Sequence, residues 1–153
     1  MTPRKSIVLV AILAGLVLLL FGCQNTPKSS AGFRLPDGDV EQGKRAFIDL
    51  GCHTCHTVEG VTDLPAPTIQ PPVPVTLGGE VAYVKTDGEL VTSIVNPSHK
   101  IAAGYRSEQV QRGEGSRMPT YGEVMTVRQM IDVVAFLQAR YTVVRPGTNP
   151  GQQ

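Results

Sequence analysis

The stretch GCHTCHT, residues 51–57, contains two of the three cysteines in a chain of 153 residues. Cys52 and Cys55 are separated by two residues, and His56 follows the second cysteine directly. Cysteines at this spacing occur in dithiol or disulfide pairs, in parts of zinc sites and at covalent attachment points for haem. The residues on either side of the stretch distinguish among these three possibilities.

A dithiol pair and a zinc site both need features that the surrounding sequence lacks. A thioredoxin-type dithiol lies in a βαβ pattern, whereas a helical pattern precedes this motif and a loop rich in glycine and proline follows it. A zinc site needs four ligands, and the three motif residues lie too close in sequence to occupy three tetrahedral corners easily. Only His53 and His99 remain as a fourth ligand. A bare disulfide would leave His56 unexplained.

Haem attachment uses all three residues of the motif. In C-x-x-C-H, each thiol adds to one vinyl group of the porphyrin, and the imidazole of the next residue coordinates the iron. The two residues between the cysteines match the separation of the vinyl groups. The motif therefore predicts one covalently bound haem c, held by Cys52 and Cys55, with His56 as an iron ligand.

Met118 is the predicted sixth ligand of the iron. It lies in the irregular stretch GSRMPTYG, residues 115–122. Pro119 stiffens this stretch and restricts Met118 to extended geometry. A loop methionine with a rigid neighbour suits a thioether that has to reach across the ring. Met125 and His99 are the alternative ligands, whereas Met130 lies on the apolar stripe of a predicted helix.

The N-terminus has the order of an export signal. Two cations, Arg4 and Lys5, precede an apolar stretch at residues 7–22. LFGC, residues 20–23, resembles the lipobox of bacterial lipoproteins, although Phe21 is bulkier than the usual residue there. We expect a lipoprotein signal peptide at 1–22 and lipidation of Cys23, with an ordinary signal peptide or an uncleaved helical anchor as alternatives. Each version exports the domain, and with lipidation of Cys23 we expect it to be membrane-anchored and to face the periplasm or exterior of a bacterium.

The composition limits both the core and the partners. The chain has no tryptophan but contains 16 glycines and 12 prolines, so a large apolar cofactor would help to complete a small core. Cleavage before Cys23 removes two of the 14 Lys and Arg residues, leaving 12 against 13 Asp and Glu. Nucleic acid is therefore not an expected partner. Docking to redox partner proteins through mixed charges fits better.

Three segments have helical periodicity, at residues 39–51, 86–97 and 126–141. Each begins with a capping-box pair, of which the first is Asp39 with Gln42.

Between the first two helical segments, residues 73–84 alternate in polarity around Gly78-Gly79, which predicts a small β-hairpin. Polar residues with proline and glycine predict a lipid-anchored flexible tether at 23–38 and a disordered tail at 146–153. The expected domain between them covers 39–145.

With these features together, residues 39–141 resemble the class I, monohaem cytochromes c. GKRAFIDLGCHTCHTVEG, residues 43–60, resembles the N-terminal helix and haem site of that family, and residues 93–141 resemble its axial-methionine loop and C-terminal helix. Residues 77–97 are similar to the haem c domains fused to some oxidase subunit II chains, but no copper-binding cysteine pair is present.

The resemblance implies a mainly α fold, with three or more helices around one covalent haem. It also implies that the N- and C-terminal helices cross where Gly43 and Phe47 pack near Phe136 or Leu137. In this family the carbonyl of an early proline accepts a hydrogen bond from the haem histidine. Pro67 is the best match for that proline, and Pro65 competes with it.

The function that we expect is single-electron transfer by an exported cytochrome. A methionine ligand raises the reduction potential relative to two histidines, and respiratory proteins would be the donor and acceptor. Two alternatives stay open: a fixed haem subunit of a membrane oxidoreductase complex, and a haem enzyme or gas sensor in which the iron has an open position.

Overall fold

The computed structural model describes residues 33–68 and 75–144. The predicted signal peptide, Cys23, most of the tether and the tail lie outside these residues, as does the start of the predicted hairpin.

The first helix, α1 (Val40–Asp49), begins at the predicted residue but with a different cap. The side chain of Asp39 accepts hydrogen bonds from the backbone N–H groups of Glu41 and Gln42. The return contact expected from Gln42 is not formed, because its Oε1 accepts from Arg45 Nε at 3.2 Å. The backbone N–H of Asp39 instead donates to Asp132 Oδ1 at 2.9 Å. A residue of another helix thus completes this cap.

The other two predicted capping boxes are confirmed. Helix α2 (Asp87–Val95) begins at a reciprocal pair formed by Thr86 and Glu89. Helix α4 (Val127–Gln138) begins at the corresponding pair formed by Thr126 and Gln129. In each pair the threonine hydroxyl accepts from the backbone of the third helical residue, whose side chain accepts from the backbone of the threonine.

Short elements join these helices. They are a 3₁₀ turn at Cys52–Thr54, strands β1 (His56–Val58), β2 (Val75–Leu77) and β3 (Gly79–Val81), a second 3₁₀ turn at Pro97–His99, helix α3 (Ser107–Val110), and strands β4 (Gln111–Arg112), β5 (Gly115–Ser116) and β6 (Tyr141–Val143). The strands form three two-stranded sheets: β1 with β2 in parallel, β3 with β6 in parallel, and β4 with β5 antiparallel. The fold is mainly helical with small strands, as the sequence predicted.

The predicted hairpin around Gly78-Gly79 is wrong. Strand β2 ends just before Gly78 and β3 begins at Gly79, but the two strands do not pair with each other. The carbonyl of Leu77 accepts from the backbone N–H of Glu59, and the N–H of Gly79 donates to the carbonyl of Arg140. Both glycines have positive φ angles, of 84° and 81°. The glycine pair therefore directs the chain from one small sheet into another instead of reversing it.

The core lies where α1 crosses α4. The rings of Phe47 and Phe136 are fully buried and meet edge to face, with centroids 5.6 Å apart. Gly43 permits this close approach, because a Cβ at that position would lie 1.9 Å from the carbonyl oxygen of Asp132. The buried apolar residues around the crossing are Ala46, Phe47, Val58, Leu90, Ile94, Val133, Val134, Phe136 and Leu137.

The end of the predicted tether is part of this domain, so the expected boundary at residue 38 is too late. Leu35 packs against the core, and its N–H donates to Asp87 Oδ2 at 3.5 Å. A Cβ on Gly38 would lie 2.7 Å from the carbonyl oxygen of Ile131. Within residues 33–68 and 75–144, no helix has the length and hydropathy to cross a membrane.

Candidate haem-binding site

The cysteine motif is held in a tight turn directly after α1. Gly51 ends the helix with φ 73°, a left-handed conformation that favours glycine. The chain then enters the 3₁₀ turn, where Thr54 Oγ1 donates to the carbonyl of Gly51 at 2.7 Å and Cys55 N donates to the carbonyl of Cys52 at 3.2 Å. These bonds fix the backbone of the whole motif, so the two thiols project from a rigid segment.

Cys52 and Cys55 are half-buried free thiols. Burial raises the pKa of the Cys52 thiol to about 11, although the nearby Tyr121 acts in the opposite direction. Burial and the nearby thiols also raise the pKa of Tyr121, to about 12. A dithiol redox centre needs the opposite shift, because the thiolate is the nucleophile in thiol–disulfide exchange. The surroundings of Cys52 therefore favour a structural or attachment role.

His56 is half-buried, with one ring nitrogen held by the backbone. Its Nδ1 lies 3.0 Å from the carbonyl oxygen of Val75. This contact fixes the ring orientation and leaves Nε2 to bind a metal. Burial lowers the pKa of His56, although the Val75 carbonyl acts in the opposite direction. The neutral ring is therefore favoured, which is the form that coordinates a metal ion.

The carbonyl beside His56 was expected to be that of Pro67, and this prediction is wrong. Parallel pairing of β1 with β2 puts Val75 opposite His56 in the register. Pro67 instead belongs to a loop whose next residue, Thr68, donates from its backbone N–H to the carbonyl of Thr54 at 2.9 Å. The proposed competitor, Pro65, is exposed. The sequence offered no sign of this pairing, because β2 follows a proline-rich stretch and has only three residues.

Met118 lies on a loop that is anchored by several hydrogen bonds. The loop follows the hairpin of β4 and β5. The backbone N–H of Met118 donates to Ser116 Oγ at 3.1 Å, and the N–H of Ser116 donates to Ser98 Oγ at 3.0 Å. The next anchor is Arg117, whose N–H donates to the carbonyl of Val110 at 2.8 Å. The sequence does not reveal this hairpin, since no apolar alternation marks strands of two residues. It does not reveal the role of Ser98 either.

The alternative ligands have different surroundings. Met125 packs against the core, whereas Met118 is half-buried and is not among the apolar residues that pack against the core. His99 is exposed at the end of the second 3₁₀ turn. Among the described residues, no three His, Cys, Asp or Glu side chains are grouped so as to hold a metal ion, as a zinc site would require.

The donor set fits a covalent haem. It consists of two thiols on a rigid turn, a half-buried neutral imidazole with a fixed tautomer, and a half-buried thioether on an anchored loop. His53 Nδ1, between the two cysteines, is buried without a hydrogen-bond partner among the described residues.

Comparison with protein families agrees with this donor set. The family model described as Cytochrome c matches residues 40–140, which include the four helices α1 to α4 of the described residues and the cysteine motif. No curated protein matches the chain, and no solved structure does. Proteins of the matched family bind haem c covalently and carry electrons. Because the match spans most of the chain and coincides with the helical core and the motif, this chain belongs to the cytochrome c family.

Proposed function

We propose that the protein is an exported, membrane-anchored cytochrome c that carries single electrons. In this proposal Cys52 and Cys55 bind the haem covalently, and His56 and Met118 are the axial ligands. The observation that carries the proposal is the half-buried, neutral ring of His56, whose Nδ1 is held 3.0 Å from the Val75 carbonyl oxygen. The haem supplies an iron that accepts and releases one electron.

The residues of the chain orient the ligands and exclude water. Because Val75 holds Nδ1, His56 keeps a single tautomer and a fixed ring plane. The 3₁₀ turn fixes both thiols relative to this ring. Such rigidity suits electron transfer, since ligands that stay in place in both oxidation states require little rearrangement.

Met118 is the sixth ligand that we propose. The loop of Met118 is anchored through Ser116 and Ser98, and the Met118 side chain is not part of the apolar core cluster. A thioether is a weaker donor than a second imidazole and raises the reduction potential. Occupation of both axial positions leaves no open position for a substrate or gas, so this ligand distinguishes an electron carrier from a haem enzyme or sensor.

The ligand assignment is tested with Met118→Leu, using Met125→Leu as a matched control. The oxidised parent protein should show the long-wavelength absorption band of sulfur–iron ligation, and the reduced protein should not bind carbon monoxide. Met118→Leu should lose the band, bind carbon monoxide and have a lower midpoint potential. Met125→Leu should behave like the parent. Loss of the band in Met125→Leu, or in His99→Ala, with retention in Met118→Leu would contradict the assignment.

The membrane anchor that we propose is lipid on Cys23. Its support is the sequence order of two cations, an apolar stretch and the lipobox-like LFGC. Mass spectrometry of the N-terminal peptide should find an acylated Cys23. The variant Cys23→Ala should lower the amount of mature protein in the membrane fraction.

Purification in mild detergent as a lone haem protein supports a mobile carrier between respiratory partners. Stoichiometric copurification with other subunits would contradict it and favour a fixed subunit.

A further inference from the structure

Three neighbouring segments at one end of the domain carry exposed apolar side chains. We call this the apolar end surface and define it by its members, whose exposed fractions lie between 39% and 62%: Phe33, Tyr83, Val84, Val143 and Val144. Soluble proteins leave single apolar residues exposed, but a group of neighbouring ones marks an interaction site.

Backbone contacts show that the three segments are neighbours. Val81 on β3 is in register with Val143 on β6, and Val144 N donates to the Val81 carbonyl at 2.9 Å. The segment after β3 is tied to the end of α4, because Gln138 Nε2 donates to the Lys85 carbonyl at 2.7 Å.

The third segment, residues 33–35, is linked to the other two through Asp87, whose carboxylate accepts hydrogen bonds from Leu35 and Gln138. Its Oδ1 accepts from Gln138 Nε2 at 3.1 Å, and its Oδ2 accepts from Leu35 N at 3.5 Å. Residues 33–35, 81–87 and 138–144 therefore lie side by side.

The charges around the apolar end surface are mixed in sign. Arg34, Lys85 and Arg140 are positive, whereas Glu80 and Asp87 are negative. The ammonium group of Lys85 lies 4.5 Å from the centroid of the Tyr83 ring. A partner recognised through strong charge complementarity is not favoured by this arrangement. A tyrosine and a lysine beside valines and a phenylalanine have the composition of side chains at a lipid–water interface.

The chain enters the domain at this surface. Phe33 follows Cys23 by ten residues, which in extended form reach about 35 Å at most. With Cys23 anchored in lipid, this end of the domain is the part that the tether joins to the membrane. From the position of Phe33 and the apolar side chains and mixed charges around it, we propose that the apolar end surface rests on the headgroup region of the anchoring membrane. This inference rests on the membrane anchor of the proposed function.

Spin labels on the full-length, haem-loaded protein test the contact. In the oxidised protein, acylated Cys23 and the two haem-bound cysteines leave an introduced cysteine as the only reactive thiol. We would label Val84→Cys and Val143→Cys in vesicles of phosphatidylethanolamine and phosphatidylglycerol. The matched controls are Val127→Cys and Val95→Cys, because Val127 is 67% exposed against 62% for Val84, and Val95 is 40% exposed against 44% for Val143.

The controls lie away from the apolar end surface. Val127 begins α4, about 16 Å along the helix from its last residue, Gln138. Val95 ends α2, about 12 Å along the helix from its first residue, Asp87. Parent protein without an introduced cysteine gives the background labelling.

We expect oxygen to relax the spin labels at residues 84 and 143 more strongly than a water-soluble nickel chelate does. At residues 127 and 95 we expect the reverse. The contrast should persist in high salt and in phosphatidylcholine vesicles, because the contact is apolar. A protein that floats with the vesicles but has water-exposed labels at 84 and 143 would overturn the contact and leave the anchor intact. A protein that does not float contradicts the anchor and the contact together. Spin–spin broadening at residue 84 would assign the surface to a second copy and also overturn the proposal.

Discussion

Asp132 connects the two helices of the core through a single carboxylate. It is 4% exposed, accepts from the backbone N–H of Asp39 at 2.9 Å, and lies 3.6 Å from Arg128 Nη1. The contact with Asp39 supplies the part of the helix cap that the local sequence does not.

We predict that Asp132→Ala destabilises the protein by about 1 to 3 kcal/mol, because it leaves the Asp39 N–H without an acceptor in a partly buried position. Urea unfolding measures this change. Asp132→Asn keeps an oxygen acceptor and should recover most of the loss, since the exposed partner Arg128 contributes only about 0 to 1 kcal/mol. Equal destabilisation by both variants would show that the charge, and not the cap, is what matters.

At the scale of single residues, the sequence predicts hydrogen-bond partners that lie close along the chain, but not partners that are distant in sequence. Thr86 and Thr126 cap their helices as predicted, because each partner lies three residues along the chain. The partners of Asp39 and His56 were missed, since Asp132 is 93 positions from Asp39 and the Val75 carbonyl is a backbone group that any residue could supply.

At the scale of elements, the crossing of α1 and α4 depends on a missing side chain. A Cβ at Gly43 would lie 1.9 Å from the carbonyl oxygen of Asp132 and 2.8 Å from Phe136 Cβ. The obstacle is mostly backbone, so the helices would have to separate.

Gly43→Ala should therefore destabilise the protein by about 1 to 3 kcal/mol through overpacking. The expected sign is opposite to that of helix propensity, which favours alanine by about 1 kcal/mol. Gly122→Ala is the control, since a Cβ there meets nothing within 4 Å, and its effect should stay within about 0.5 kcal/mol. Unfolding free energies of the two variants decide the matter, and a neutral or stabilising Gly43→Ala would contradict the close crossing.

The wrong hairpin prediction shows why the pairing of strands is harder to predict from sequence than their positions. The alternation around Gly78-Gly79 correctly indicated extended chain on both sides. It could not indicate that β2 pairs with β1 and β3 with β6, because those partners are 19 and 62 residues away in the register. The contact between Gly78 and Arg140, where a Cβ would lie 2.9 Å from Arg140 Cβ, is likewise invisible in the sequence.

At the scale of the whole molecule, the haem is expected to act as part of the core. Within residues 33–68 and 75–144, the apolar cluster contains only nine buried residues. The composition had already suggested this shortage, with aromatic residues at 5% of the chain. The fold class was readable from three helical patterns and one motif, whereas the apolar end surface was not, because it combines three distant segments.

We predict that Cys52→Ala/Cys55→Ala, which removes covalent attachment, lowers the unfolding free energy by more than about 5 kcal/mol, the upper range for truncating one large core side chain. Thermal unfolding followed by far-ultraviolet circular dichroism measures the difference from the haem-loaded parent. Phe47→Ala serves as the comparison, with an expected loss of about 3 to 5 kcal/mol. A double variant as stable as the parent would mean that the chain folds independently of its cofactor.

The central claim is that one haem is bonded to the chain through Cys52 and Cys55. Its most direct test is mass spectrometry of the exported, purified protein, with the proteolytic peptide that contains residues 51–57 analysed after acid–acetone extraction. We predict that this peptide retains the mass of one haem and the red colour, with both thiols blocked to alkylation. A colourless protein, a pigment that passes into the acetone, or two free thiols in that peptide would contradict the claim.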